Sequence, residues 1–308
     1  MIDNAIVLSG EWFVLAGEYA LCDAYNQTPF PPRSAYHLGI VPPNGIELIH
    51  PPAVGLPEQK AFLLGGCPNY SHWLMDYLPR VGLWSGDVPL LVNDALRPFQ
   101  LESLAALGVG EDKLIRLDYP NAYAVPMLYY PSLNSAWCMP PLPFRPEIVD
   151  WLRTKFTRLF SEDRDRRRIF VTRARNTGMR RLLNSDEIER VAERHGFEIV
   201  AAETLSFPEQ VKLFSQASVI AGAHGAGFAN MAFAPPGTRI VELIGPRGSR
   251  ERGGGPAVYR QLATMMTFDF IRCVGASDER ASIENNHLPL ETFTVDPAAF
   301  AAALDRLH

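Results

Sequence analysis

Short apolar segments alternate with segments of helical period over two long stretches of the chain, and this alternation limits the fold more than any other feature. In the first stretch, residues 61–117, Ala61–Leu64 and Leu90–Val92 have the length of buried strands, and Arg97–Leu107 has the apolar spacing of a helix. The second stretch, residues 168–273, repeats the alternation. Because consecutive parallel strands need a crossover connection, usually a helix, the pattern predicts an α/β protein with doubly wound parallel sheets.

A proline-dense segment between residues 120 and 146 separates the two stretches. Proline at that density breaks both helices and central strands, so the segment is predicted to cross between two domains. A chain of 308 residues also exceeds the usual size of a single core. We therefore expect an N-terminal α/β domain over residues 1–145, a Rossmann-like domain over residues 146–285, and a final helix within residues 286–308 that could pack back on the first domain.

Composition limits the classes of protein that the chain can belong to. A net charge of -5 argues against a general nucleic-acid binder, which needs a basic excess. The four cysteines lie far apart without a C-x-x-C pair, which predicts reduced thiols and no zinc site. Asp163 and Asp165 lie in a charged run, and we predict no metal site there. Since no signal peptide and no long uncharged apolar run is evident, a cytoplasmic protein is expected.

A glycine-rich segment over residues 219–227 places small residues where a predicted strand leads into a predicted helix. A diphosphate can approach backbone N–H groups closely only where side chains are absent, and a helix N-terminus carries partial positive charge. His224, Gly225, Ala226 and Gly227 are therefore a candidate anion cradle. The same glycines would also suit tight strand–helix packing, and that alternative stays open.

A group of arginines follows the predicted strand Arg168–Thr172, with Arg173 at its end and Arg181 in the segment beyond. Ligands in open α/β sheets bind outside the carboxyl ends of the strands. Planar guanidinium groups suit bidentate contacts with phosphate. Arg173 and Arg181 are therefore candidate anion contacts.

The first domain carries a polar helical face with Asn69, His72, Asp76 and Arg80. His72 and Asp76 are four residues apart, so their side chains can meet on one face of a helix. A carboxylate beside an imidazole fixes its tautomer, which is the arrangement that a general base needs. Either His72 or Asp76 is a candidate base, and an ordinary polar helix face is the alternative.

Together these motifs resemble glycosyltransferase family 61, which includes bacterial capsular polysaccharide proteins and plant xylosyltransferases. The resemblance covers roughly residues 60–245. It rests on the order of several strings in this sequence: Asn69-Tyr70-x-His72-Trp73-x-x-Asp76-x-Leu78-Pro79-Arg80, the Arg173…Arg181…Asn184 spacing, Leu205-Ser206…Glu209-Gln210, His224-Gly225-Ala226-Gly227…Asn230, and Val241-Glu242.

The resemblance implies an inverting enzyme of GT-B type, with two Rossmann-like domains facing each other across a cleft. It implies that the C-terminal domain binds a uridine-diphosphate sugar, and that the N-terminal domain lies on the acceptor side. Donor-binding residues would then be Arg173, Arg181, His224, Gly225, Ala226, Gly227 and Asn230, with Glu242 at the ribose hydroxyls. Acceptor-side or cleft residues would be Asn69, Tyr70, Trp73 and Arg80, beside the candidate base at His72 or Asp76.

We therefore expect a metal-independent, inverting glycosyltransferase without a cofactor, acting in capsular or cell-surface polysaccharide synthesis. Its expected partners are a nucleotide sugar and a glycan or lipid-linked saccharide, with at most peripheral membrane contact. Because a fold does not fix a function, two alternatives stay open. One is an inactive glycan- or nucleotide-binding module on the same fold, and the other is a nucleotide-sugar epimerase or hydrolase.

Overall fold

A computed structural model of the chain describes residues 1–10, 12–21, 37–41, 45–131, 145–162, 165–173, 180–246, 258–277 and 291–307. The chain forms two compact units, Met1–Leu142 and Pro143–His308. Asp163, where the sequence predicts no metal site, lies outside the described residues.

Unit 1 is built on a mixed sheet of eight strands in the order β3-β2-β1-β10-β7-β8-β9, with β6 beside β10. A separate antiparallel pair is formed by β4 and β5. The strands are β1 (Ile2–Leu8), β2 (Val14–Ala16), β3 (Tyr19–Leu21), β4 (His37–Val41), β5 (Gly45–Ile49), β6 (Val54–Gly55), β7 (Lys60–Gly65), β8 (Leu90–Asn93), β9 (Leu114–Leu117) and β10 (Ala122–Tyr129).

The sheet of unit 1 has a parallel half and an antiparallel half. β10, β7, β8 and β9 run parallel, as the strand–helix alternation predicts. β1, β2 and β3 add an antiparallel half, in which β1 pairs with β10. The prediction of a parallel sheet is therefore confirmed for one half only, because β1 to β3 have no crossover helices.

The helical segment after β7 is less regular than the sequence predicts. The expected helix over Asn69–Leu78 is a single α-helical turn at Tyr70–His72, a π-helix at Trp73–Tyr77 and a 3₁₀-helix at Leu78–Leu83. Pro79 lacks an N–H group and cannot continue an i→i−4 ladder, which accounts for the change of helix type near that residue. A regular α-helix follows only at Pro98–Ala106.

Unit 2 contains a five-stranded parallel sheet in the order β13-β11-β14-β15-β16 and a small sheet in the order β12-β18-β17. The parallel sheet confirms the second strand–helix alternation. Its order is the 2-1-3-4-5 order of doubly wound domains. The strands are β11 (Arg167–Val171), β12 (Arg180–Leu182), β13 (Glu198–Val200), β14 (Ala217–Ala223), β15 (Arg239–Ile244), β16 (Asp269–Val274), β17 (Ala276–Ser277) and β18 (Glu291–Thr294).

The α-helices of unit 2 begin and end close to the residues that the sequence indicates. Ser206 caps one helix through the predicted capping box with Glu209. Gly196 follows another helix with a φ of 75°, a left-handed conformation that favours glycine. The described α-helices are Pro146–Phe156, Ser185–Arg194, Phe207–Phe214, Val258–Met265 and Pro297–Asp305.

The C-terminal helix belongs to unit 2. Asp296 caps it, and Phe300 packs edge to face on Phe170 of β11 with ring centroids 6.0 Å apart. Leu304 is buried in the same core. We expected that this helix could pack back on the first domain, whereas its apolar face is covered by the core of unit 2.

Candidate active site

The sheet of unit 2 has a topological switch point between β11 and β14. These strands are neighbours, but the chain leaves β11 towards β13 at one edge and leaves β14 towards β15 on the other side. Their following loops therefore diverge and leave a crevice, which is where open α/β sheets bind ligands. Arg173 lies just after β11, and His224 follows β14 directly. The structure thus brings together Arg173 and His224, two of the residues predicted from the sequence to bind the sugar donor.

Two glycines allow the strands and loops to approach closely at this switch point. At Gly222, a Cβ atom would lie 2.3 Å from the backbone oxygen of Val171, and φ is +148°. At Gly225, a Cβ atom would lie 2.3 Å from Nη2 of Arg173. Gly222 is therefore needed for close packing of the strands, which agrees with the packing alternative. Gly225 instead leaves room for the guanidinium group of Arg173.

Three backbone N–H groups lie in the turn between β14 and the next helix. The amide of Phe228 bonds to the Gly225 carbonyl at 3.0 Å and starts the 3₁₀-helix Ala226–Phe233. The amides of Gly225, Ala226 and Gly227 come before that first bond, so they have no acceptor within the helix. An α-helix was expected after this turn, and a 3₁₀-helix is found.

The position of the 3₁₀-helix is fixed by its buried side chains. Phe233 packs edge to face on Phe156 and Phe207, with ring centroids 6.1 Å apart in each case. Asn230 is fully buried, and its amide donates to Oε1 of Gln210 at 2.8 Å. Asn230 therefore ties the 3₁₀-helix to the helix Phe207–Phe214, which gives this sequence-predicted donor residue a packing role in the structure.

His224 lies in a buried polar network behind the turn. Its Nδ1 atom lies 2.6 Å from Oε1 of Glu242, and Oε2 of Glu242 accepts a hydrogen bond from Nε of Arg272 at 2.7 Å. The side chains of these three residues are 3%, 0% and 6% exposed, respectively. The imidazole also packs against the ring of Tyr259, with centroids 5.1 Å apart.

This network revises the assignment of Glu242. The resemblance implies that Glu242 meets the ribose hydroxyls, but the carboxylate is fully buried and each oxygen has a partner in the protein. The geometry favours a role in holding His224. Arg272 and Tyr259 were missed by sequence reasoning, although a glutamate within the apolar run of β15 signals that a buried partner is present.

The arginines differ in their surroundings. The guanidinium of Arg173 is exposed and donates a hydrogen bond to the His224 carbonyl. Arg181 is also exposed, but it lies on β12 of the small sheet, where it is in register with Thr292 of β18. Arg173 is thus the arginine that the described contacts place at the glycine turn.

In unit 1, the carboxyl end of β7 leads directly into a buried histidine–aspartate pair. Gly65 and Gly66 have φ values of 78° and 158°, and Asn69 then caps the next turn by accepting from the amides of Ser71 and His72. Nδ1 of His72 lies 2.9 Å from Oδ2 of Asp76, within the π-helical stretch. Single-turn π-helical insertions are frequent at functional sites.

Two further polar side chains near this pair, those of Arg80 and Trp73, bond to other groups of unit 1. Arg80 is buried and donates from Nε to the Asp76 carbonyl and from Nη1 to the Leu64 carbonyl, each at 3.2 Å. Trp73 is buried and donates to Oγ of Ser103 at 2.9 Å. These two sequence-predicted acceptor-side residues lie within the core of unit 1.

Tyr70 and Asn69 are the more accessible members of the motif. The ring of Tyr70 is half-buried and meets Phe99 edge to face at 5.3 Å, and Asn69 is exposed. A nearby thiol reports on the electrostatics: burial, together with the charge of Asp76, raises the pKa of Cys67 to about 11. The Asp76 side chain is itself buried.

Within the described ranges, no group of three or more histidine, cysteine, aspartate or glutamate side chains has the geometry of a metal site. Over those same residues, no helix is both long enough and apolar enough to cross a bilayer.

Fold and site together define a class: an α/β protein whose parallel sheet carries an arginine and a glycine turn at its switch point. The sequence profile of the family Glycosyltransferase 61 matches residues 70–241, which is more than half of the chain. The chain therefore belongs to glycosyltransferase family 61. The matched range includes the His72–Asp76 pair, Arg173 and the glycine turn.

A curated relative has an assigned activity. The chain is 28% identical over 137 residues to a beta-1,2-xylosyltransferase of Oryza sativa subsp. japonica. The match covers 44% of this chain and 23% of the rice protein. The chain therefore spans about a quarter of the length of that relative.

Proposed function

We propose that this chain is an inverting glycosyltransferase that moves a sugar from a nucleotide-diphosphate donor, a uridine-diphosphate sugar, to a glycan acceptor. The proposal rests on one observation: Arg173 contacts the turn His224–Gly227 at the switch point of the parallel sheet. Family membership and the similarity to a xylosyltransferase supply the reaction class. The GT-B arrangement of the two units is part of the proposal.

On the donor side, the leaving group is a diphosphate whose negative charge grows as the glycosidic bond breaks. The guanidinium of Arg173 and the amides of Gly225, Ala226 and Gly227 are N–H donors that can be aimed at its oxygens. Preorganised donors of this kind stabilise developing charge without rearranging during the reaction. We propose that they do so without a divalent ion.

On the acceptor side, His72 is the proposed general base and Asp76 orients it. The carboxylate of Asp76 can only accept a hydrogen bond, so it places a proton on Nδ1 of His72 and leaves Nε2 to receive the acceptor proton. In the reaction, the acceptor oxygen bonds to the anomeric carbon as the bond from that carbon to the diphosphate oxygen breaks. The hydroxyl proton passes to Nε2, and the configuration at the carbon inverts.

We extend the proposal to an acceptor that is a glycan or lipid-linked saccharide of a capsular or cell-surface polysaccharide. The basis is the resemblance to bacterial capsule proteins. A screen of nucleotide sugars identifies the donor sugar. A screen of saccharide acceptors tests the proposed acceptor class.

The test has two stages. Purified protein is first heated with a panel of nucleoside diphosphates and nucleotide sugars, with and without a chelator, because a ligand that binds the folded state raises the melting temperature. A chelator-insensitive rise with uridine diphosphate and one of its sugars is expected, and no rise with any nucleotide contradicts the proposal. Acceptor-dependent release of uridine diphosphate then separates a transferase from a binding module, and a sugar changed while still linked to nucleotide would indicate an epimerase.

A further inference from the structure

A linear network of three side chains lies behind the glycine turn of unit 2. It runs from Arg272 on β16 through Glu242 on β15 to His224 at the end of β14. Resting on the transferase function above, we propose that Glu242 and Arg272 are positioning residues. They clamp His224 and thereby hold the glycine turn and Arg173 in the arrangement that binds the diphosphate.

The three side chains of the network are buried. Glu242 is fully buried between the apolar residues Val241 and Leu243, and a buried carboxylate is costly unless it is paired. Buried ion pairs are often no more stabilising than apolar residues of the same size. Stability alone therefore gives little reason for this pair, whereas a requirement for a fixed orientation of His224 does.

His224 is held at three separate atoms. Its amide donates to the Leu243 carbonyl at 2.8 Å, its carbonyl accepts from Arg173, and its Nδ1 atom bonds to Glu242. Since an ionised carboxylate only accepts, the proton lies on Nδ1. The ring of Tyr259 covers the imidazole, so the side chain has little freedom to rotate.

His224 is in direct contact with the groups that we propose bind the diphosphate. Gly225 follows His224 in the chain, and the guanidinium of Arg173 is bonded to the His224 carbonyl. A displacement of the Arg272 side chain is therefore transmitted through the side chains of Glu242 and His224 to the groups that we propose bind the diphosphate. The imidazole itself is only 3% exposed, which fits a residue that acts through its backbone rather than as the direct diphosphate ligand that the resemblance implies.

The inference is tested by titrating the purified chain and its variants with uridine diphosphate in a calorimeter. Arg272→Ala is expected to weaken binding about tenfold, which corresponds to about 1.4 kcal/mol. Arg272→Lys should recover part of the loss, because it keeps the charge without the fixed geometry of the guanidinium.

A double variant distinguishes positioning from simple loss of charge. Glu242→Gln leaves one acceptor oxygen for two donors, so its NH₂ group clashes with either Nδ1 of His224 or the guanidinium of Arg272, and we expect weaker binding. In Glu242→Gln with Arg272→Met, that clash disappears while the amide oxygen can still accept from Nδ1 of His224. The double variant is therefore expected to bind more tightly than Glu242→Gln alone.

A core variant away from the turn serves as the control for a purely structural role. Phe300→Leu, in the buried cluster against Phe170, is expected to lower the melting temperature without altering a residue of the network. The inference is overturned if Arg272→Ala binds as the parent does, or if Phe300→Leu loses equal affinity at a matched loss of melting temperature. Failure of the parent chain to bind any nucleoside diphosphate instead contradicts the proposed function.

Discussion

The guanidinium group of Arg173 occupies the space that a side chain at Gly225 would need. An ideal Cβ at Gly225 would lie 2.3 Å from Nη2 and 2.9 Å from Cζ of Arg173. Arg173 follows β11 and Gly225 follows β14, so the contact joins the two strands that flank the switch point. The position of the Arg173 guanidinium therefore explains the glycine at position 225. Backbone strain does not explain it, because a φ of 178° is open to any residue.

Gly225→Ala is expected to displace Arg173 while leaving the fold intact. The side chain that must move is flexible, so the melting temperature should change little, whereas the affinity for uridine diphosphate should fall about tenfold through a lost charge-assisted contact. Calorimetric titration and a thermal melt measure the two effects. Gly55→Ala, where a Cβ meets no atom within 4 Å, is the matched control and should change neither. Unchanged nucleotide affinity in Gly225→Ala would remove Arg173 from the donor site.

Asp76→Asn is expected to lower turnover about 100-fold or more while leaving donor affinity near its parent value, because a general base loses its orienting partner. Steady-state kinetics with the donor named by the nucleotide screen, and calorimetry with uridine diphosphate, separate the two quantities. Glu111→Gln, which alters an exposed carboxylate paired with Arg116, is the control and should behave as the parent does. Near-normal turnover in Asp76→Asn would exclude the pair from the mechanism.

The sequence predicted those parts of the fold that depend on local patterns. The capping box at Ser206 and the strand β14 can each be recognised within a few residues. The antiparallel half of unit 1 could not, because β1 and β10 pair across more than a hundred residues and neither strand carries a turn signal that links them. The irregular helix at Trp73–Tyr77 depends on Pro79 and on burial, and a helical period alone does not resolve it.

The sequence predicts the candidate site as a set of residues rather than as an arrangement. Arg173 and the glycine turn are neighbours, as expected for groups at the carboxyl ends of adjacent parallel strands. Asn230 and Glu242 occur in the predicted motifs, but both are buried within the protein. Which side of a strand faces a ligand depends on the register of β14, β15 and β16, and that register is not visible in the linear sequence.

Ser206→Ala is expected to lower the free energy of unfolding by about 1 kcal/mol, as for loss of a helix N-cap. Hydrogen bonds from Ser206 hold the pKa of the Glu209 carboxyl below its ordinary value. A depressed folded-state pKa stabilises the fold above the unfolded pKa, and this contribution is lost as the pH falls through the folded value. Urea unfolding at pH 7 and at acid pH should therefore show a smaller effect of Ser206→Ala at acid pH. An equal effect at both pH values would contradict this assignment.

Cys67 is expected to resist alkylation at neutral pH. With its pKa raised to about 11 by burial and by Asp76, it carries about one hundredth of the thiolate of an ordinary cysteine of pKa 9.0. Peptide mapping by mass spectrometry after a timed iodoacetamide pulse measures the rate, which should rise with pH. Asp76→Asn removes the like charge and should speed the reaction. Rapid labelling of the parent chain at pH 7 would show that the surroundings of Cys67 are more solvated than the structure indicates.

In the proposed function, the switch point of unit 2 binds the diphosphate of the donor through Arg173. Calorimetric titration of the parent chain and of Arg173→Ala with uridine diphosphate, in the presence of a chelator, tests it most directly. We predict chelator-insensitive binding by the parent chain and a loss of about tenfold or more in Arg173→Ala. Equal affinity of the two proteins, or binding by the parent chain that disappears with the chelator, would contradict the account.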